Sequence, residues 1–189
     1  MSETKSLAVR YLSLTSDRAV SQAFWIATFA ILTAVGAQVE IPLKPVPYTL
    51  QTLFVLLAGA LLGPRNGFIS MSVYLVMGLI GLPVFSSAGF GLAKILGPTG
   101  GYLLAFPIAA FVVGSLVKSG DHIIWSVIAM VSGLLVIFTL GTIQLSVVMG
   151  MNFSDAFAGG FLIFSWWDIL KLAAATAIYR QAHKKSPAS

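Results

Sequence analysis

The stretch SWWDILKLAAATAI, residues 165–178, sets an acid and a base, Asp168 and Lys171, inside a run that is otherwise apolar from Ala156 to Ile178. As a soluble helix it has too little polar surface to face water. As a membrane helix it carries two ionisable groups that hydrocarbon tolerates only when they are paired or used. Positions three apart on a helix share a face, so the two can neutralise each other. The rest of the chain decides the solvent. Of 189 residues, 58% are hydrophobic and 9% charged, with a mean hydropathy of +0.94; an average soluble domain carries about 25% charged residues. Charge this sparse cannot clothe a water-exposed surface, so the solvent is lipid.

A hydrocarbon core of about 30 Å takes about 20 helical residues, and six apolar runs answer that description. They cover Val20–Ile41, Thr49–Gly63, Phe68–Leu82, Gly101–Val117, Ile123–Gly150 and Ala156–Arg180, with the breaks IPLKPVP, GPRNG, KSGDH and MNFSD between them. The second and third are short and hinge at PRNG. The runs are continuous and do not alternate, which argues against a β-barrel. The expected fold is all-α: a polytopic membrane protein, one domain over residues 1–189, built as a compact bundle of six transmembrane helices. Lys5, Arg10 and Arg18 precede a run ending VGA at Ala37, which resembles a signal-peptide cleavage site, but the charged region is long for that role and a retained helix is expected.

Positive charge orients the bundle. With both termini on one side, that side holds Lys5, Arg10, Arg18, Arg65, Lys118, Arg180, Lys184 and Lys185, and the other holds only Lys44 and Lys94. The basic side is cytoplasmic, so residues 1–18 form a cytoplasmic segment, residues 181–189 a cytoplasmic tail, and the location is the inner (plasma) membrane. The basic residues form no stripe with interleaved aromatics, which argues against a nucleic-acid partner. There are no cysteines, hence no thiol chemistry or thiolate metal site. No GxxxxGK[ST], HExxH or GxSxG occurs, and His122 and His183 fall on the cytoplasmic side, far from Asp168. No enzyme, metal or cofactor is expected.

Residues 83–100, PVFSSAGFGLAKILGPTG, join the third and fourth runs on the outer side. The segment is long, glycine-rich and still apolar, so a docked binding loop or lid is expected, with Phe85, Phe90, Leu92, Ile95 and Leu96 holding it down. A rise of about 1.5 Å per residue from Arg180 lifts Asp168 into the outer half of the membrane, beneath that loop. Thr49, Gln51, Lys94, Thr99, Tyr102 and Asn152 fall at the same level. A ligand site, a structural ion pair and an ion or proton relay are all compatible with the pair; the shared level of polar residues favours the site. It suits a small organic solute with a hydrogen-bonding head, and Lys94 or Lys44 could meet a distant carboxylate. Ala19, Ala23 and Ala27 recur every four residues at the inner end of the first run, a spacing for close helix packing within the chain or against another subunit.

The run IPLKPVPYTLQTLFVLLAGALLGPRNGFISMSVYLVMGLIGLPVFSSAGFGLAKILGPTGGYLLAFPIAAFVVGSL, residues 41–116, resembles the BioY family, the biotin-binding S components of energy-coupling factor (ECF) vitamin transporters. PVPYTLQT, AGALLGPRNG, YLVMGLIGLPVF and GPTGGYL carry the likeness together, and FSWWDILKL looks like the family's sixth-helix pattern. The resemblance implies six helices with both ends inside, and biotin bound from outside beneath the 83–100 loop. Its ureido ring would lie on Asp168 and Lys171, with Thr49, Gln51, Phe85, Lys94, Thr99, Tyr102 and Asn152 around it. It also implies a transmembrane T subunit and a pair of ATPases as partners, docked on Ala19, Ala23 and Ala27; these would use the ATP for which this chain has no P-loop. A secondary, ion- or proton-coupled carrier is the alternative, against which no internal repeat is seen.

Overall fold

The structure, a computed structural model, describes residues 3–119, 122–162 and 166–185, with backbone alone for residues 3–17, 166, 184 and 185. The side chains of Lys5, Arg10, Lys184 and Lys185 therefore lie outside the described set. Helix α1 (Glu3–Gln38) leads into a two-stranded antiparallel hairpin, β1 (Glu40–Ile41) against β2 (Tyr48–Thr49), paired Glu40 to Thr49 and Ile41 to Tyr48. Then come α2 (Gln51–Leu79), a 3-10 turn at Ser86–Ala88, the short α3 (Gly91–Leu96), α4 (Gly100–Leu116), α5 (Ile123–Met149), α6 (Phe153–Gly160) and α7 (Trp166–Lys185). Four described stretches are long and apolar enough to cross a membrane: Arg18–Gln38, Gln51–Leu79, Gly100–Ser119 and Ile123–Met149. The chain is a helical, multi-pass membrane protein.

The six expected runs are realised differently in three places. The first run stops at Gln38, because the proline-rich stretch after it cannot continue a helix and pairs as the hairpin instead. The second and third runs are arms of α2, which doubles back at Gly63 (φ 80°, ψ 177°), with Pro64 beginning the return. A straight helix would part residues 51 and 74 by about 35 Å, yet the Gln51 side-chain amide donates to the Tyr74 hydroxyl. Only glycine takes that φ freely. The sixth run is broken: α6 ends at Gly160, residues 161–162 form a turn, and α7 begins at Trp166. The glycine pair at 159–160 is a poor helix former at that break.

The core lies between α2, α4 and α5, with Leu56, Met71, Tyr74, Phe106, Val113, Met130 and Ile137 buried. Close approach depends on small residues. A methyl at Gly59 would overlap the Ala110 carbonyl, and one at Gly133 would strike Val113 and Leu56. On α1, the Ser70 hydroxyl of α2 donates to the Ile26 carbonyl at 2.7 Å. The outer surface is apolar as well. Leu104, Ile108 and Phe111 on α4, and Ile124, Ile128, Val131 and Leu135 on α5, are exposed at helical spacing. Helices apolar on both faces belong in lipid.

The 83–100 connection is partly ordered into helix rather than being a plain loop. Val84, Phe85 and Ile95 are buried, whereas Phe90, Leu92 and Leu96 face outward. Phe85 fills the space beside Gly78, where any side chain would overlap its ring. The Gln38 amide donates to the Phe85 carbonyl at 3.0 Å and accepts from the Ala88 N–H at 3.1 Å. The Gln144 amide on α5 donates to the Ile95 and Gly97 carbonyls at 2.7 and 2.8 Å.

Candidate functional site

Asp168 enters the structure from the first turn of α7, where the helix dipole favours a carboxylate. Its Oδ1 lies 2.7 Å from Lys171 Nζ, and both side chains are almost fully buried. Lys171 also donates to the Thr49 carbonyl at 3.0 Å, so the ammonium is held by β2 as well as by its own helix. From Thr49 a polar chain continues inward. The Thr49 hydroxyl donates to Gln51 Oε1 at 2.9 Å, the Gln51 amide to Tyr74, and the Tyr74 hydroxyl to the Val84 carbonyl at 3.1 Å. Both arms of α2, the hairpin, α7 and the 83–100 connection are thereby tied to one polar layer.

A cavity of about 60 Å³ opens on this layer. Asp168, Lys171, Thr49, Gln51, Thr52 and Ser86 form its polar side, and Leu103, Phe106, Ile137 and Phe138 wall it with apolar surface. Pro47 and Thr99 line both this cavity and a second, more open cleft of about 390 Å³, which Lys44 and Lys94 share. The two basic residues assigned to the outer side thus meet at one mouth.

Of the residues singled out from the sequence, Asp168, Lys171, Thr49, Gln51, Thr99 and Tyr102 come together around the cavity. Tyr102 reaches it from α4, and its hydroxyl donates to the Gly160 carbonyl at 2.9 Å, at the end of α6. Phe85 does not line the cavity. It is buried against α2, edge-on to the Tyr74 ring at 5.5 Å between centroids. Lys94 lines the more open cleft instead. Asn152 precedes α6 as its N-cap, is exposed, and does not reach the cavity. Ala19, Ala23 and Ala27 are exposed on α1 rather than packed within the chain.

Sequence reading missed Thr52 and Ser86. Thr52 Oγ1 is buried without a hydrogen-bond partner among the described residues and lines the cavity one residue beyond Gln51. The motif PVPYTLQT contained it, but a lone threonine in an apolar helix gives no sign of the face it takes. Lysine has three N–H donors, and two of those on Lys171 are engaged. The site therefore offers one ammonium N–H, a free hydroxyl at Thr52, carboxylate acceptors and aromatic walls. That set suits a compact ring bearing both donors and an acceptor.

Comparison with known proteins agrees over nearly the whole chain. Residues 5–188 match the BioY family. A probable biotin transporter BioY of Pyrococcus horikoshii is 46% identical over 153 residues, covering 81% of this chain and 90% of that one. The biotin transporter BioY of Thermotoga maritima is 39% identical over 150 residues, covering 79% and 88%. Among solved structures, the S component for biotin from an ECF-type ABC transporter superposes with a TM-score of 0.83 at 28% identity, covering 89% of this chain and 93% of that one. With its helical fold, its buried acid–base pair and these relatives, the chain belongs to the BioY family.

Proposed function

We propose that the chain is the biotin-binding membrane subunit of a vitamin uptake transporter, taking biotin from the outer side and passing it inward with an ATP-driven ECF module. The observation that carries this reading is the buried Asp168–Lys171 pair opening on the cavity, in a chain whose relatives are named biotin transporters. A ureido ring brings two N–H donors and one carbonyl. One N–H goes to the Asp168 carboxylate and the carbonyl beside it takes the remaining Lys171 N–H, while the second N–H, which diverges to the far side of the ring, goes to the Thr52 hydroxyl, with Phe106 and Phe138 against the apolar edge of the ligand. The acyl tail runs past Pro47 and Thr99 into the outer cleft, where Lys94 and Lys44 meet its carboxylate. Ligand pockets for molecules of this kind occupy roughly 300 Å³ or more, so capture widens the 60 Å³ cavity, and the 83–100 connection is the lid that yields.

In this reading the bundle makes six crossings, counting the two arms of α2 separately and α7 as the last. Both termini lie in the cytoplasm and the membrane is the inner (plasma) membrane. A transmembrane T subunit docks on Ala19, Ala23 and Ala27, exposed on α1, and a pair of ATPases supplies the energy. The chain itself is no enzyme and needs no cofactor. The test is equilibrium binding of labelled biotin to the detergent-purified chain without partners. Saturable binding below about 1 μM, equivalent to about −8 kcal/mol, is expected, and no binding in that range contradicts the proposal. A secondary, ion- or proton-coupled carrier is the second reading, favoured by the broken α6–α7 run beside the site. Uptake that survives without an ATPase partner and collapses with an uncoupler would establish it instead.

A further inference from the structure

We propose that the face beside the Gly63–Asn66 turn, at the opposite end of the bundle from the cavity, binds an anionic phospholipid: its phosphate on Arg65 and Lys118, and an acyl chain in the apolar cleft next to Arg65. Two adjoining clefts carry this. One, about 520 Å³, is lined by Ala19, Gln22 and Ala23 of α1, by Gly63, Pro64, Arg65 and Asn66 at the turn of α2, and by Lys118 after α4, so the lipid holds this site in the chain alone and a T subunit docked on those alanines would displace it. The other, also about 520 Å³, is lined by Arg65, Phe68, Ile69, Ile108 and Phe111 between the return arm of α2 and α4. Arg65 and Ile69 belong to both, so a headgroup site and a chain site are continuous through one guanidinium.

The charges suit an anion. Lys118 sits over the turn, close enough that a Cβ at Gly63 would stand 3.4 Å from its Nζ. Arg65 follows two residues later and is exposed, as is Lys118. Among the described residues neither is in an ion pair, and no acidic side chain lines either cleft. Two like charges lining one cleft disfavour each other, and an anion bound between them relieves that. A phosphodiester does so with bidentate acceptance from arginine and a point contact to lysine, and Gln22 and Asn66 add neutral donors. Basic pockets between membrane helices hold acidic headgroups for this reason. An acidic partner surface could satisfy the cations, but it would leave the contiguous Phe68–Phe111 cleft unused.

Native mass spectrometry of the detergent-purified chain, titrated with phosphatidylglycerol and separately with phosphatidylcholine of the same acyl chains, tests this. Phosphatidylglycerol is expected to bind at least tenfold more tightly. R65Q/K118Q should erase that preference, and I108W, which fills the apolar cleft, should weaken phosphatidylglycerol severalfold, with thermal stability unchanged in both. If the double variant does not fold, R65Q alone should lower the preference about threefold. Equal binding of the two lipids overturns the proposal. So does phosphatidylglycerol binding indifferent to I108W, or glycerol phosphate or an acidic peptide binding as tightly as the lipid, which would mark a surface for an acidic partner.

Discussion

At the scale of single residues, the pair at Asp168 and Lys171 has two tasks that substitutions can separate. Each neutralises the other where neither could stay charged alone, and together they present hydrogen-bonding groups to the cavity. Removing one partner strands a buried charge, at a cost of about 3–5 kcal/mol, whereas replacing both with apolar side chains is often neutral. K171M should therefore lower the thermal unfolding temperature in detergent markedly, and D168L/K171M should recover most of the loss while binding no biotin. A double variant that regains stability and still binds biotin would reduce the pair to a structural role.

At the scale of elements, the 83–100 connection is held by a handful of side-chain clamps and carries strain. Ser87 and Ala88 have φ of 56° and 52°, which non-glycine residues adopt at a cost. Gln38 clamps both sides of that turn, and Ser87 donates to Glu40 at 2.6 Å. Q38L removes both hydrogen bonds to that turn, worth about 1 kcal/mol each, along with one to the Ala34 carbonyl of its own helix. Hydrogen exchange at the amides of residues 85–89 should speed up and biotin should dissociate severalfold faster; unchanged exchange there would mean the clamp lies elsewhere. This is also where sequence reading thins out. The apolar runs that became α4 and α5 were legible because their length and solvent leave one choice. The hinge at PRNG was legible from Gly63 and Pro64. The docking of Phe85 was legible only as apolarity, since its partner Gly78 leaves no trace but an absent side chain. That Lys44 and Lys94 line one cleft depends on how the segment between β1 and β2 is placed near α3, a tertiary placement that no local spacing encodes. Asn152, chosen for its level, stands just ahead of a short helix whose end the unbroken apolar run concealed.

At the scale of the molecule, the account needs a sidedness. The outer cleft with Lys44 and Lys94 and the turn with Arg65 and Lys118 lie at opposite ends of the bundle. The chain has no cysteines, so single-cysteine labelling works on the natural background. In right-side-out vesicles, K94C should react with an impermeant maleimide from outside and K118C only after permeabilisation; the reverse pattern would invert the topology. In the proposed function the chain binds its vitamin unaided and leaves energy to its partners, so its specificity should show when it is purified alone. The most direct measurement is the dissociation constant of labelled biotin for the purified chain beside that of D168N, which keeps the size of the side chain and removes its charge. The account predicts submicromolar binding for the natural chain and a loss of tenfold or more in the variant, about 1.4 kcal/mol or greater. Equal affinity in the two would contradict the claim that the buried acid receives the ligand.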